Sequence, residues 1–202
     1  MGRSEADDPR RMAMNLLGNG LSSAHHDEDA LSVKEAELSM LRRVGADENS
    51  ILITQGNLAI TYEKLGRHEQ TLSLRQEVYS GWLKLEGEEH GDTLREANNY
   101  AISLVRLQRF EEARALTRKM TPVAQRFLGE NDEITLKLRW TYARSLYENK
   151  GATLDDLREA VTTLEDLERT ARRVLGGAHP VAVTIVRHLR DARGALYARG
   201  LL

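Results

Sequence analysis

Cysteine is absent from the 202 residues, which removes disulfides, thiolate zinc sites and thiol nucleophiles from consideration together. Proline occurs only at Pro9, Pro122 and Pro180, so little interrupts long helices. Aromatic residues make up 5% of the chain. No stretch approaches the roughly 20 apolar residues that span a bilayer. Residues Met1 to Arg11 carry Asp7, Asp8 and Pro9 with no apolar run behind them, unlike a secretory signal, so a cytoplasmic location is the expectation. Charge of one sign is also scarce. The formal net charge of -2 gives no general attraction to phosphate backbones or anionic lipid, and nucleic acid is not an expected partner.

What is present favours helix. Hydrophobic residues are 41% and charged residues 30%, with Ala, Leu, Glu and Arg prominent, a mixture of good helix formers with enough apolar side chains for a core.

The chain repeats itself. MNLLGNGL (Met14 to Leu21), GNLAITYEKLG (Gly56 to Gly66), NNYAISLVRLQ (Asn98 to Gln108) and WTYARSLYENK (Trp140 to Lys150) align on the small residues Gly18, Ala59, Ala101 and Ala143, at steps of 41, 42 and 42. A second small residue follows at Ala30, Thr71, Ala113 and Ala160, the last interval carrying five extra residues within Glu148 to Asp155. Beyond it come the apolar residues Val44, Leu85, Phe127 and Val174, then Gly45, Gly87, Gly129 and Gly176.

Each unit reads as two helices. Leu58, Tyr62 and Leu65 follow one helical face of a first helix, and Leu72, Leu74, Val78 and Trp82 mark a second. The small pair lets the two backbones approach closely, and the terminal glycine suits the left-handed residue that ends a helix. Such a unit cannot bury both faces alone, so neighbours must stack.

This pattern resembles the tetratricopeptide repeat over roughly residues 11 to 199. Within that superfamily the 42-residue spacing, the run Asn98 to Ala101 and the linkers Leu128 to Asp132 and Leu175 to Pro180 are similar to kinesin light chain repeats. The heptad region by which a kinesin light chain joins its heavy chain is missing, so no motor role follows. The resemblance implies an all-α fold, a right-handed superhelical array of antiparallel helix pairs, or α-solenoid. The expected organisation is a flexible tail over 1–10 and one domain over 11–202. Its repeats fall at about 11–44, 45–86, 87–128 and 129–175, with a capping helix at 179–199. In that last stretch Arg190 replaces the small residue and rejects a close second helix. Pro122 is expected to kink or break its helix near Met120 to Thr121.

The resemblance also implies which side chains face inward from the first helices: Asn15 and Asn19; Ile53, Asn57 and Ile60; Arg95, Asn98, Asn99 and Ile102; Lys137, Trp140, Thr141 and Arg144. In peptide-binding tetratricopeptide proteins asparagines at such positions hold a peptide backbone, because the amide carries donor and acceptor together, and this role carries over to Asn57 and Asn99. The plain alternative is family-typical packing. Arg95, Lys137 and Arg144 would favour an acidic segment, although exposed cations are common on helices. Trp140 reads equally as an aromatic platform or as core, Trp82 as packing, and Arg75 and Arg118 as outer-face residues.

Catalytic chemistry finds no motif. His25 and His26 stand in a turn beside Asp27, Glu28 and Asp29, where a solvated turn is the better reading than a metal site. His68, His90 and His179 fall at turns or helix starts, and His188 has no acidic neighbour in sequence before Asp191. A phosphate loop, a nucleophile elbow and paired helical histidines are all lacking. The expectation is a non-enzymatic scaffold with no cofactor and no metal, binding a protein or extended peptide in a concave groove. The alternative is a permanent subunit of an assembly, docked through its outer face or edges.

Overall fold

A computed structural model describes residues 9–200. Most of the tail expected over 1–10 lies outside the described residues; Pro9 and Arg10 open the first helix. The described residues form nine helices and no strand, the all-α paired-helix architecture that the repeat implies. They are divided between two compact units, one ending at Leu85 and the other beginning at Glu86.

The first unit contains α1 (Pro9–Ser23), α2 (Asp27–Val44), α3 (Glu48–Lys64) and α4 (His68–Glu86, which runs one residue past the boundary). Helix α2 begins on three acidic residues, Asp27, Glu28 and Asp29, which suit the positive end of the helix dipole, and stops at left-handed Gly45. Helix α3 begins where the Asp47 carboxylate accepts the Ser50 N–H at 2.8 Å. Leu31, Leu38 and Leu58 form one apolar cluster and Leu52, Val78 and Trp82 another, so Trp82 is packing, as its sequence position suggests. Two glycines are close-approach positions. A Cβ on Gly18 would stand 3.1 Å from the Lys34 side chain, and one on Gly81 would overlap the side chain of Leu52.

The Lys34 stem so accommodated is buried, and its ammonium donates to Thr61 Oγ1 at 3.0 Å and to the Asn57 carbonyl at 3.4 Å. Burial holds its pKa below the usual lysine value, with help from the nearby Lys64 charge. Arg75 corrects an expectation. It is 4% exposed, on the α4 face that meets α3 near Gly56, and is no outer-face residue.

The second unit contains α5 (Gly91–Arg106), α6 (Phe110–Phe127), α7 (Glu133–Tyr147), α8 (Leu154–Leu175) and α9 (Pro180–Gly200). Its largest apolar cluster joins Leu136, Ala143 and Leu146 of α7, Ala160, Leu164 and Leu167 of α8, and Val181, Ile185 and Leu189 of α9. Each fully buried Val, Leu or Ile contributes about 1.5–3 kcal/mol. Arg190, where earlier units have Gly or Ala, is exposed. The N-termini are capped: His90, Asp132 and His179 accept the N–H two residues on, and Thr153 forms a capping box with Asp156.

Helix α6 runs unbroken through Pro122, against the expected break near Met120 to Thr121. Proline cannot donate to the Arg118 carbonyl, but both residues lie on the exposed side of α6, where water can take that oxygen. The five extra residues form the turn between α7 and α8, which Arg199 of α9 holds by donating to the carbonyls of Lys150 at 2.7 Å and Ala152 at 2.8 Å. Among the described residues no helix is long and apolar enough to cross a membrane.

Candidate functional site

Helices α5 and α7 of the second unit enclose a pocket of about 480 Å³. Arg95, Asn98, Asn99 and Ile102 line it from α5; Glu133, Ile134, Lys137 and Trp140 line it from α7, with the cap residue Asp132 at the rim. Six of these were expected on the inward face. Asp132, Glu133 and Ile134 were not, although Glu133, Lys137, Trp140 and Arg144 share one helical stripe at i, i+4, i+7 and i+11 that could have added Glu133 to the set.

The two asparagines are half committed. Asn98 is only 4% exposed, and its Oδ1 accepts the Thr141 hydroxyl at 2.9 Å; Thr141 itself is fully buried. Asn99 donates its amide nitrogen to Glu96 Oε2 at 3.1 Å. The Asn98 nitrogen and the Asn99 oxygen therefore remain without a partner in the chain.

The cations are also paired at home. Arg95 is bound to Asp92, one turn earlier on α5, and Lys137 to Glu133 at 2.6 Å. The Lys137 hydrogen bond holds the Glu133 carboxyl below its usual pKa. The lining thus carries two cations and two carboxylates.

Trp140 serves both of its expected roles. It packs against the apolar cluster of α7, α8 and α9 and also lines the pocket. Its ring lies 5.1 Å from that of His188, and the Arg144 guanidinium sits 5.6 Å from the indole centroid while holding Glu148 through Nε at 2.7 Å and Nη2 at 3.2 Å. The indole N–H is buried without a hydrogen-bond partner.

His188 was missed because its neighbours lie about one repeat away in sequence. Its Nδ1 meets the Tyr147 hydroxyl, Glu148 stands 4.0 Å off on α7, and Arg187 and Asp191 flank it on α9. Burial first, then the Arg144 charge, pushes the imidazole pKa down to about 4 from 6.5, and outweighs Glu148 and Asp191. A depressed histidine pKa means that the unfolded chain takes up the proton first. Stability is then full above pH 6.5 and falls as the pH drops toward 4. Replacing His188 with Phe is expected to reduce the loss of unfolding free energy between about pH 7 and pH 5, measured by urea denaturation. An unchanged pH slope would contradict this account, since the lowered carboxyls Asp156, Asp166, Glu112 and Glu133 titrate below that window.

The other expected residues lie in the first unit. Asn57 is half-buried on α3 between exposed Ile53 and Ile60, and its side-chain amide has no hydrogen bond within the chain. Asn19 donates to Asn15 at 3.0 Å on α1. His25 and His26 are exposed at their turn, and no group of three His, Asp or Glu among the described residues is disposed to hold a metal.

Comparison with known proteins agrees with this geometry. The tetratricopeptide-repeat family matches residues 50–124. No curated protein matches the sequence. Among solved structures, two of the nearly identical TPR-like repeats designated kinesin light chain in Podosopora anserina are similar to this chain. One superimposes with a TM-score of 0.77 at 20% identity, over 95% of this chain and 88% of that one. The other gives 0.76 at 20%, over 96% and 90%. BtubC (BKLC) of P. vanneervenii gives 0.63 at 16%, over 93% and 77%. Residues 50–124 are tetratricopeptide repeats, and the chain has the fold of kinesin light chain-like repeat proteins.

Proposed function

We propose that the chain is a protein-interaction module that holds an extended peptide against α5 and α7. The observation that carries this reading is the pair of half-committed amides, Asn98 with a free donor and Asn99 with a free acceptor, in a pocket of about 480 Å³. An extended backbone presents the same two groups in alternation. Arg95 and Lys137 receive acidic side chains of the peptide by exchanging them for Asp92 and Glu133, and Trp140 and Arg144 form the aromatic and cationic end of the contact. Thr141, fully buried, fixes the orientation of Asn98. Asn57 offers an uncommitted amide at the same repeat position of the first unit.

A second reading, a permanent subunit docked through its edges, is favoured by Val44, Leu85, Phe127 and Val174. These four repeat-related apolar residues lie 40% to 58% exposed in the last turns of α2, α4, α6 and α8.

The test is selection of a displayed random-peptide library on the intact chain, followed by affinities for variants. Each neutral side-chain hydrogen bond contributes about 0.5–1.5 kcal/mol, so Asn57→Ala with Asn99→Ala should weaken a selected peptide by about fivefold to a hundredfold. Arg95→Glu with Lys137→Glu should weaken acidic peptides further, mainly at low salt. Peptides indifferent to these changes but lost on Phe127→Ser with Val174→Ser would favour the edge-docked subunit.

A further inference from the structure

A second cavity of the second unit, about 290 Å³, lies among α6, α7 and α8 and shares no lining residue with the pocket between α5 and α7. Thr117, Arg118, Thr121 and Pro122 wall it from α6, and Arg139 and Tyr142 from α7. Both of its charged lining residues are arginines.

Each arginine is partly engaged and keeps donors to spare. Arg118 lies over the Tyr142 ring, 5.6 Å from its centroid, and donates to the phenol oxygen through Nε at 3.2 Å and Nη2 at 3.1 Å, which leaves Nη1. Arg139 gives Nη2 to Asp166 at 2.6 Å and keeps Nε and Nη1. The nearby acids are occupied: Asp166 by Arg139, and Glu159 by the Tyr142 hydroxyl at 2.5 Å.

Thr121 is the anomaly. Thr117, one turn earlier, donates its hydroxyl proton to the Ala113 carbonyl at 2.7 Å, the usual arrangement for a threonine in a helix. The Thr121 hydroxyl is buried and has no partner. A buried unpaired hydroxyl costs stability, and functional sites are where folds carry such local costs.

We propose that this cavity binds a carboxylate, held by the free N–H groups of Arg139 and Arg118 and by the Thr121 hydroxyl. The planar guanidinium fork matches a carboxylate in geometry. A phosphate dianion fits less well, because Asp166 and Glu159 already balance the two arginines and a second negative charge would be repelled. The carboxylate is carried either by an acidic side chain of a partner or by a free small organic acid. The site is independent of the peptide pocket, and each reading stands or falls alone.

The intact chain, methyl-labelled at threonine, is titrated with glutarate and with N-acetylglutamate α-amide at millimolar concentrations and followed by NMR. Thr121 and the α8 wall residue Thr163 are the reporters. Saturable shifts with both probes support a site open to free acids; shifts with the amide alone support an acidic side chain as the ligand. Thr121→Val preserves shape and removes the unpaired hydroxyl. It is expected to weaken binding about tenfold or more while raising the melting temperature of the ligand-free protein. The absence of a saturable shift with either probe, binding unchanged in Thr121→Val, or a lower melting temperature for that variant would overturn the proposal.

Discussion

Removal of α9, residues 180–202, is expected to lower the melting temperature by about 10 °C or more and to abolish hydrogen-exchange protection in α8. Val181, Ile185 and Leu189 are buried against Leu164 and Leu167, and their loss uncovers apolar surface on both sides of the contact. At about 1.5–3 kcal/mol for each large side chain, and about 2–4 °C per kcal/mol in a chain of this size, the effect exceeds that of ordinary point substitutions. Thermal unfolding followed by circular dichroism reads it directly. A truncated chain that melts as cooperatively and as high as the intact one would mean that α9 lies outside the cooperative unit.

Leu52→Ala is expected to cost about 2–5 kcal/mol, as for other buried leucines, and to reverse the sign of a second substitution. Gly81→Ala alone improves helix propensity by about 1 kcal/mol, but the new methyl overlaps Leu52, and overpacking of this kind costs about 1–3 kcal/mol. The single glycine substitution is therefore destabilising. With Leu52 already trimmed the overlap disappears, the propensity gain remains, and Gly81→Ala becomes stabilising. A double-mutant cycle by urea denaturation measures the coupling. Additive effects would show that the close approach of α3 and α4 at this point has no energetic weight.

These two contacts differ in how they could be read from sequence. The small residues Ala59, Ala101 and Ala143 and their partners Ala30, Thr71, Ala113 and Ala160 recur at a fixed interval, and all are buried. Gly81 has no counterpart in the repeat pattern, so its role depends on where Leu52 points, which no periodicity encodes. Turn chemistry was also half visible. Gly45, Gly87, Gly129 and Gly176 take positive φ as their identity suggests, whereas His25 and Gln108 adopt φ of 63° and 60° at the turn position that Gly66 fills in the second repeat. Histidine and glutamine there gave no signal.

The repeated apolar residues Val44, Leu85, Phe127 and Val174 make the opposite point. Periodicity marked them as a shared feature, but they end up exposed at helix ends, because a repeating position need not be a buried one. The site followed the same division. Alignment of the first helices yielded Arg95, Asn98, Asn99, Lys137 and Trp140 together. It could not reveal that Thr141 takes the Asn98 oxygen, or that a histidine on α9 rests against Trp140. Those contacts join residues about 43 and 48 positions apart, beyond the reach of any local pattern.

The elbow between α7 and α8 separates two quantities that repeat proteins usually keep equal, the length of chain in a repeat and the phase of its helices. Five residues enter there, yet His179 caps α9 through the N–H two residues on, as Asp132 caps α7 and His90 caps α5. The extra length is stored as a sideways excursion, and Arg199 ties its carbonyls back to the last turn of α9. Chain length can thus drift at this elbow without passing an error on to the next helix, so the rhythm of the array belongs to its helix contacts rather than to its residue count.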